Sequence, residues 1–155
     1  MTSSNDPSVF EYGVDGPKLI IVGLDGSDSS WRAAAYAAGL ARRQHSRLVL
    51  VYVQTLAAGA FAQASGVVYD SGSQVADQLL TEIRDHVVRF GEHQHVNWEF
   101  RTFRGDPAMG LAAVGDELRA DAIVVGTSES AGHRIFGSVA VRLVKLGRWP
   151  VTVVP

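Results

Sequence analysis

Residues 124–138 read Val-Val-Gly-Thr-Ser-Glu-Ser-Ala-Gly-His-Arg-Ile-Phe-Gly-Ser. The apolar stretch that ends at Gly126 is typical of a buried strand, and apolar residues at helical spacing after Gly137 predict a helix that runs to about Leu146. A polar loop rich in serine and glycine lies between them. A strand, a loop and a helix N-terminus in this order direct backbone N–H groups and the positive end of a helix dipole at one point, which favours an anion such as a phosphate.

The rest of the chain alternates predicted strands and helices. Strands of the buried type are predicted at residues 19–25 and 48–53, an apolar strand at 122–126, and a short last strand at 151–154. Residues 96–103 alternate apolar and polar side chains, as an edge strand does. Apolar residues at helical spacing follow each of the first four strands. This order implies right-handed crossovers, so we expect an α/β protein: a single-domain, doubly wound, five-stranded parallel sheet, in the order 3-2-1-4-5, with helices on both faces.

Three segments are assigned from their local sequence. Residues 1–17 show no hydrophobic periodicity, so a flexible N-terminal tail is predicted before a domain at residues 18–155. Residues 55–73 are rich in alanine, glycine and serine and predict a long flexible loop. In the last helix the residues predicted to face the core are Val139, Leu143, Val144 and Leu146.

The composition limits the class of protein. The chain has 155 residues, 46% of them hydrophobic, which is enough for one core. A formal net charge of -2 without a basic run argues against nucleic-acid binding. The lack of cysteine excludes disulfides and thiolate metal sites. The chain shows neither a signal-peptide pattern nor an apolar run long enough for a membrane span, so we expect a cytoplasmic protein without membrane association.

Several short motifs together resemble the universal stress protein family, over residues 18–154. They are Asp25 after the first strand, Val53 at the end of the second, Gly105-Asp106-Pro107-Ala108 before the third helix, Gly126, and Gly137-Ser138. The resemblance implies an adenine-nucleotide alpha-hydrolase-like fold. It also implies that Asp25 lies against a nucleotide, that Val53 lies against its adenine, and that Gly137-Ser138 binds phosphate.

The predicted strand order brings two loops together. Ligands of open parallel sheets bind beyond the carboxyl ends of the strands, where the strand order reverses, and here that point lies between the first and fourth strands. The candidate binding residues in this region are Asp25, Gly26, Ser27, Val53, Gly126, Thr127, Glu129, Arg134, Gly137 and Ser138. The expected ligand is ATP or another adenine nucleotide.

The loop departs from the family pattern at Glu129. The nucleotide-binding branch carries a second glycine there, and the loop in this chain is two residues shorter. A carboxylate ~4 Å from a phosphate oxygen costs on the order of 4 kcal/mol at an effective dielectric near 20, more than the ~0.3 to 1 kcal/mol that a helix terminus returns. His133 and Arg134, or a divalent cation such as Mg²⁺, could supply the missing positive charge.

Two hypotheses on function remain open at this point. The chain is either a small adenine-nucleotide binder or sensor in the stress response, or a family member without a nucleotide that serves as a dimeric interaction module. Weak ATP hydrolysis is a third possibility, but the sequence places no residue as a general base, so no catalytic residue is assigned. We expect a homodimer through residues 151–154, an apolar edge strand that carries no charge to prevent pairing.

Two other patterns in the sequence bear on function. His93 and His95 point the same way in an extended segment, but no third ligand accompanies them, so two surface histidines are favoured over a metal site. Residues 25–30 resemble in part the phosphate-gripping loop of ATP pyrophosphatases. The chain is too short to carry the substrate domain of those enzymes.

Overall fold

The computed structural model describes residues 16–54, 71–90, 95–127 and 137–155. Most of the predicted tail and of the predicted loop after the second strand lies outside these ranges. Ser71, however, is the first residue of a helix, so the prediction of a loop through Ser73 is wrong at its end. His93, Glu129, His133 and Arg134 also lie outside the described residues.

The described elements are five strands and four helices. In chain order they are β1 (Leu19–Gly23), α1 (Asp28–Gln44), β2 (Arg47–Gln54), α2 (Ser71–Phe90), β3 (Asn97–Arg104), α3 (Pro107–Leu118), β4 (Ala122–Gly126), α4 (Ser138–Leu146) and β5 (Val151–Val154). Every strand pair is parallel, and the sheet order is β3-β2-β1-β4-β5. The predicted doubly wound sheet is confirmed, with the 96–103 segment at one edge and the last strand at the other.

The core consists of two layers, one on each face of the sheet. Successive side chains of a strand point to opposite faces, so Ile20 and Val22 of β1 pack against α1 and α2, whereas Ile21 packs against α3 and α4. The side of α1 that meets the sheet is built of alanines, among them Ala33 and Ala37, which are fully buried. Small residues there allow a close approach between helix and sheet.

Helix α4 buries a narrower face than its sequence predicts. Ala140 and Leu143 are buried, but Val144 is 60% exposed and Leu146 is 39% exposed. The prediction that these last two residues face the core is therefore wrong. The helix has nine residues and lies at the end of its layer, where β5 is the last strand. Beyond β5 no further strand is available to cover them within the described part of the chain.

Local polar groups fix the ends of the helices. Ser27 is the N-cap of α1, and its side chain accepts a hydrogen bond from the Ser30 N–H. Asp106 caps α3 in the same way through the Met109 N–H, with Pro107 at the first helical position. Within the described ranges, no helix is both long and apolar enough to cross a membrane.

Candidate functional site

The candidate site is a cleft at the carboxyl ends of β1 and β4. The strand order reverses between these two neighbours, and loops that diverge there leave a crevice. The cleft has a volume of about 240 Å³. Seven of the residues singled out in the sequence line it: Asp25, Ser27, Val53, Gly126, Thr127, Gly137 and Ser138. Segments far apart in the sequence therefore meet at one place.

The turn after β1 is held by its own polar groups. One carboxylate oxygen of Asp25 accepts hydrogen bonds from the Ser27 N–H at 2.9 Å and from the Ser27 hydroxyl at 2.6 Å. Gly26 lies between them with a φ of +87°, a left-handed conformation that glycine adopts without strain. Because the same Ser27 side chain also caps α1, the position of the Asp25 carboxylate is tied to the start of the helix.

Asp25 is held in its charged form. Partial burial acts to raise its pKa, but the hydrogen bonds from Ser27 and Ser30 outweigh this effect, and the pKa lies below the usual 3.8. Tyr52 on β2 responds to this charge: burial and then the negative charge of Asp25 raise the pKa of its phenol above 10.0. At neutral pH the β1 side of the cleft therefore presents an anionic hydrogen-bond acceptor.

The end of β4 lies directly against the first turn of α1. The Ser29 hydroxyl donates a hydrogen bond to the Thr127 carbonyl oxygen at 2.7 Å. A Cβ at Gly126 would lie 2.6 Å from the Ser29 carbonyl carbon and 2.8 Å from the Ser30 nitrogen. Gly126 is thus required by helix–strand packing. Its spacing in the sequence was sufficient to locate it but not to show this reason.

The N-terminus of α4 forms the opposite wall. Gly137 is its N-cap, with a φ of -54° and a ψ of 148°, and it has no side chain to cap the first N–H groups. The caps of α1 and α3, by contrast, are the side chains of Ser27 and Asp106. The first turn of α4, from Ser138 to Ala140, lines the cleft, so N–H donors that have no partner within the helix, and the positive end of a helix dipole, face it.

An ion pair braces the two helices on this side. Arg142 of α4 donates to Asp106 at 2.6 Å, and this bond, followed by the bond from the Met109 N–H, lowers the pKa of the Asp106 carboxyl below 3.8. Asp106 directly precedes Pro107, which lines the cleft. The resemblance identified Asp106 in the helix-opening motif, but no sequence signal paired it with Arg142.

The floor of the cleft is apolar. Val51 and Val53 of β2, Val125 of β4 and Leu111 of α3 contribute to it. Of these four, only Val53 was proposed from the sequence, because the others look like ordinary core positions. The floor suits a flat, largely apolar group between the Asp25 side and the α4 side.

Two of the proposed site residues, Glu129 and Arg134, belong to residues 128–136, outside the described part of the chain. Among the residues that are described, no group of three or more His, Cys, Asp or Glu side chains could hold a metal ion. His95, the described member of the histidine pair, is exposed.

The cleft combines three chemical features. The β1 side offers a carboxylate acceptor, the α4 side offers backbone N–H donors, and the floor between them is apolar. These features complement a ligand that has an anionic group at one end, a hydroxyl or amino donor at the other, and a planar apolar part between them.

The chain is similar to known proteins both in sequence and in structure. The model of the universal stress protein family matches residues 17–155. A universal stress protein of Mycobacterium tuberculosis is 30% identical over 145 residues, which is 88% of this chain and 95% of the relative. The solved structure of a universal stress protein in complex with cAMP is 26% identical, has a TM-score of 0.64, and is matched over 90% of this chain and 97% of its own.

A second solved structure, a universal stress protein from Archaeoglobus fulgidus in complex with dAMP, has a TM-score of 0.65 at 23% identity, over 88% of this chain and 96% of its own. The fold is the adenine-nucleotide alpha-hydrolase-like fold that these universal stress protein domains share. The family match covers nearly the whole chain, and the relatives are matched over almost their full length. This chain therefore belongs to the universal stress protein family.

Proposed function

We propose that this protein binds an adenine nucleotide in the cleft between β1 and β4 and acts in the stress response through its nucleotide state. We place it in the cytoplasm, as a homodimer, and we assign it no catalytic residue. The observation that carries the proposal is the opposition of the two walls: the Asp25 carboxylate on one side and the uncapped N-terminus of α4 on the other.

The two walls define the orientation of the ligand. Phosphate is placed at the N–H groups of Ser138, Val139 and Ala140, because a helix N-terminus favours negative charge. The ionised Asp25 repels phosphate but accepts hydrogen bonds, so the ribose hydroxyls or the adenine amino group are placed on its side. Val53, beside Asp25 in the lining, then contacts the base.

The comparisons support this proposal by analogy. One solved relative is in complex with cAMP and another with dAMP, and both ligands are adenine nucleotides with a single phosphate group. One anion-binding helix terminus in this cleft matches one phosphate group. We therefore expect a monophosphate or cyclic monophosphate to bind at least as well as ATP, since the one helix terminus without a side-chain cap offers donors for one phosphate group.

Titration calorimetry with AMP, cAMP and ATP, each with and without Mg²⁺, tests the proposal. In Gly137→Val a branched side chain would block the approach of phosphate to the helix start, whereas the backbone angles of Gly137 are allowed for valine. We expect at least tenfold weaker binding. The control Ala113→Val introduces the same branched side chain on the exposed side of α3 and should bind as the wild type does. A wild type that binds none of these nucleotides at millimolar concentration would overturn the proposal.

The role of Glu129 can be tested separately. Glu129→Gly removes a carboxylate from the loop before α4, so nucleotide affinity should rise. Bound ligand stabilises a protein by RT ln(1 + [L]/Kd), about 2.7 kcal/mol at a hundredfold excess over Kd. Thermal melting with millimolar Mg-ATP should therefore show a larger stabilisation of Glu129→Gly than of the wild type. Equal shifts in the two proteins would show that the Glu129 carboxylate does not weaken nucleotide binding.

An exposed apolar edge supports the homodimer. Within the described part of the chain, β5 pairs only with β4, and its four residues are partly exposed. Val141, Val144 and Leu146 of the neighbouring α4 are exposed as well. An uncharged strand edge of this kind is most simply covered by the same strand of a second copy across a two-fold axis. This surface is also the observation that favours an interaction module, should the nucleotide fail to bind.

Light scattering tests this interface. Val153→Lys places a charge on the β5 edge and should give a monomer at micromolar concentration. The matched control is Thr102→Lys, an exposed position on β3 at the opposite edge of the sheet, which should remain a dimer. A monomeric wild type, or a dimer that survives Val153→Lys, would exclude this interface.

A further inference from the structure

A second concave surface lies on the opposite side of the molecule from α3 and α4. It is a groove of about 390 Å³ between α1 and α2, above the first residues of β2 and β3. We name it the α1–α2 groove, and its main contacts are Trp31, Ala38, Leu48, His86, Val87 and Trp98. The lining is almost entirely apolar. The adenine-nucleotide cleft, in contrast, opens at the carboxyl ends of the strands.

Aromatic side chains shape this groove. Trp31 of α1 stacks on His86 of α2, with ring centroids 5.1 Å apart and planes 17° from parallel. Trp98 stands on β3 opposite Leu48 of β2. Aromatic walls that remain partly exposed are typical of surfaces that bind another apolar group.

The chain enters the described domain close to this groove. The Ser46 hydroxyl donates to the Pro17 carbonyl oxygen, and the Arg47 N–H donates to the Lys18 carbonyl oxygen at 2.8 Å. Gly16 and Pro17 therefore lie on the β2 side of β1, at the amino ends of the strands, where a Cβ at Gly16 would contact Gln44 at the end of α1. Leu19, Arg47 and Asn97 are neighbours in register. The start of β1 is thus about 10 Å, two strand spacings, from the start of β3.

The residues before Gly16 contain large apolar side chains that could fill the groove. Four such residues precede Gly16 closely in the sequence: Val9, Phe10, Tyr12 and Val14. An extended chain advances about 3.3 to 3.6 Å per residue, so Phe10, six residues before Gly16, has a reach of roughly 20 Å. This exceeds the roughly 10 Å that separates the starts of β1 and β3. In an extended segment, Phe10 and Tyr12 point to the same side.

Charge favours the same pairing. The first fifteen residues carry Asp6, Glu11 and Asp15 and neither Lys nor Arg. At the groove, Arg43 folds over Gly39, with its guanidinium nitrogen 3.4 Å from the position that a Cβ of Gly39 would take. Within the described ranges Arg43 forms no ion pair. When Phe10 and Tyr12 point into the groove, Glu11 faces outward, where Arg43 can pair with it.

We propose that the N-terminal segment of this same chain, with Phe10 and Tyr12 inserted, occupies the α1–α2 groove. This assignment concerns a surface separate from the proposed nucleotide cleft and does not depend on it. The other occupants to be distinguished are the N-terminal segment of a second copy and the β5 edge as an alternative destination of the segment.

Disulfide trapping tests the proposal, because the chain has no cysteine of its own. In Tyr12→Cys combined with Val87→Cys, mild oxidation should give an intrachain disulfide in high yield. Val88 is the matched control: it is next to Val87 but 77% exposed and outside the groove lining, so Tyr12→Cys with Val88→Cys should cross-link several-fold less. A third pair, Tyr12→Cys with Thr152→Cys, reports docking at β5.

The products are separated by non-reducing mass spectrometry. A selective intrachain bond at Val87 supports the proposal. Equal yields at Val87 and Val88, a preference for Thr152, or an interchain bond at Val87 would overturn it, the last in favour of a second copy.

Tryptophan fluorescence gives a second, independent measurement without added cysteines. Trp31 and Trp98 line the groove, whereas Trp149 packs on Gly115 on the other face. Phe10→Ser with Tyr12→Ser should shift the emission to the red and increase quenching by acrylamide, compared with the wild type and with the control Ser8→Ala. Emission and quenching identical to those of the wild type would show that the segment does not cover the groove.

Discussion

Replacement of Gly126 by alanine should destabilise the protein strongly. The added Cβ would lie 2.6 Å from the carbonyl carbon of Ser29, 2.7 Å from its oxygen and 2.8 Å from the nitrogen of Ser30. All three are backbone atoms in the first turn of α1, so no side-chain rotation relieves the contact. The start of α1 must move away from β4, and this movement stretches the 2.7 Å hydrogen bond from Ser29 to Thr127.

The expected size of this effect follows from two contributions. An extra methyl group in a packed region costs about 1 to 3 kcal/mol, and the weakened hydrogen bond adds about 1 kcal/mol. The sum is about 2 to 4 kcal/mol. For a chain of this length each kcal/mol lowers Tm by about 2 to 4 °C, so Tm should fall by about 4 to 16 °C.

Differential scanning calorimetry measures this shift, and Gly39→Ala is the matched control. Gly39 lies in the middle of α1, where a Cβ would come within 3.4 Å of a nitrogen at the end of the Arg43 side chain, which can move. Alanine at a helix interior stabilises by about 0.5 to 1 kcal/mol over glycine, so the control should melt at a higher temperature. If Gly126→Ala melts within 1 °C of the wild type, or if both variants shift in the same direction, the packing argument is wrong.

Two further predictions concern α3 and α4. Leu143→Ala should lower the free energy of unfolding by about 2 to 5 kcal/mol in a urea titration, because Leu143 is fully buried. Val144→Ala should change it by no more than about 0.5 kcal/mol. The opposite ranking would mean that α4 turns its other face to the core. The folded-state pKa of Asp106 is lowered below 3.8, chiefly by its hydrogen bond from Arg142, so the carboxylate stabilises the fold above that pH and the stabilisation is lost as the pH falls further. Asp106→Asn should therefore be less stable at pH 7 and show a shallower acid-unfolding curve below pH 3.8; parallel curves for both proteins would refute this.

The architecture was predictable from the sequence because periodicity and element order carry it. Buried strands alternating with amphipathic helices allow few topologies, and β3 was recognisable as an edge strand from its alternating side chains. The face of α4 was not predictable to the same degree. Val144 and Leu146 continue the apolar pattern of the helix, and only the tertiary position of α4 at the end of its layer shows that they stay exposed.

The location of the candidate site was predictable from the sequence, but the contacts that hold its residues in position were not. Strand order alone located the cleft, and the family motifs identified Asp25 and Gly137. The structure was needed to explain why residue 126 is a glycine. The close contact between β4 and the first turn of α1 has no other signature in the sequence. The ion pair between Asp106 and Arg142 joins residues of two different helices, and no pattern of spacing predicts such a pair.

Three helices, α1, α3 and α4, line the cleft with their first turns, and each contributes a partial positive charge there. Two of them have an acidic side chain at hand: Asp28 lies in the first turn of α1, and Asp106 is the cap of α3. The first turn of α4 has none. Within the cleft the positive potential is therefore concentrated at the start of α4, so an anion should bind there with a stoichiometry of one per chain, and its affinity should fall with added salt.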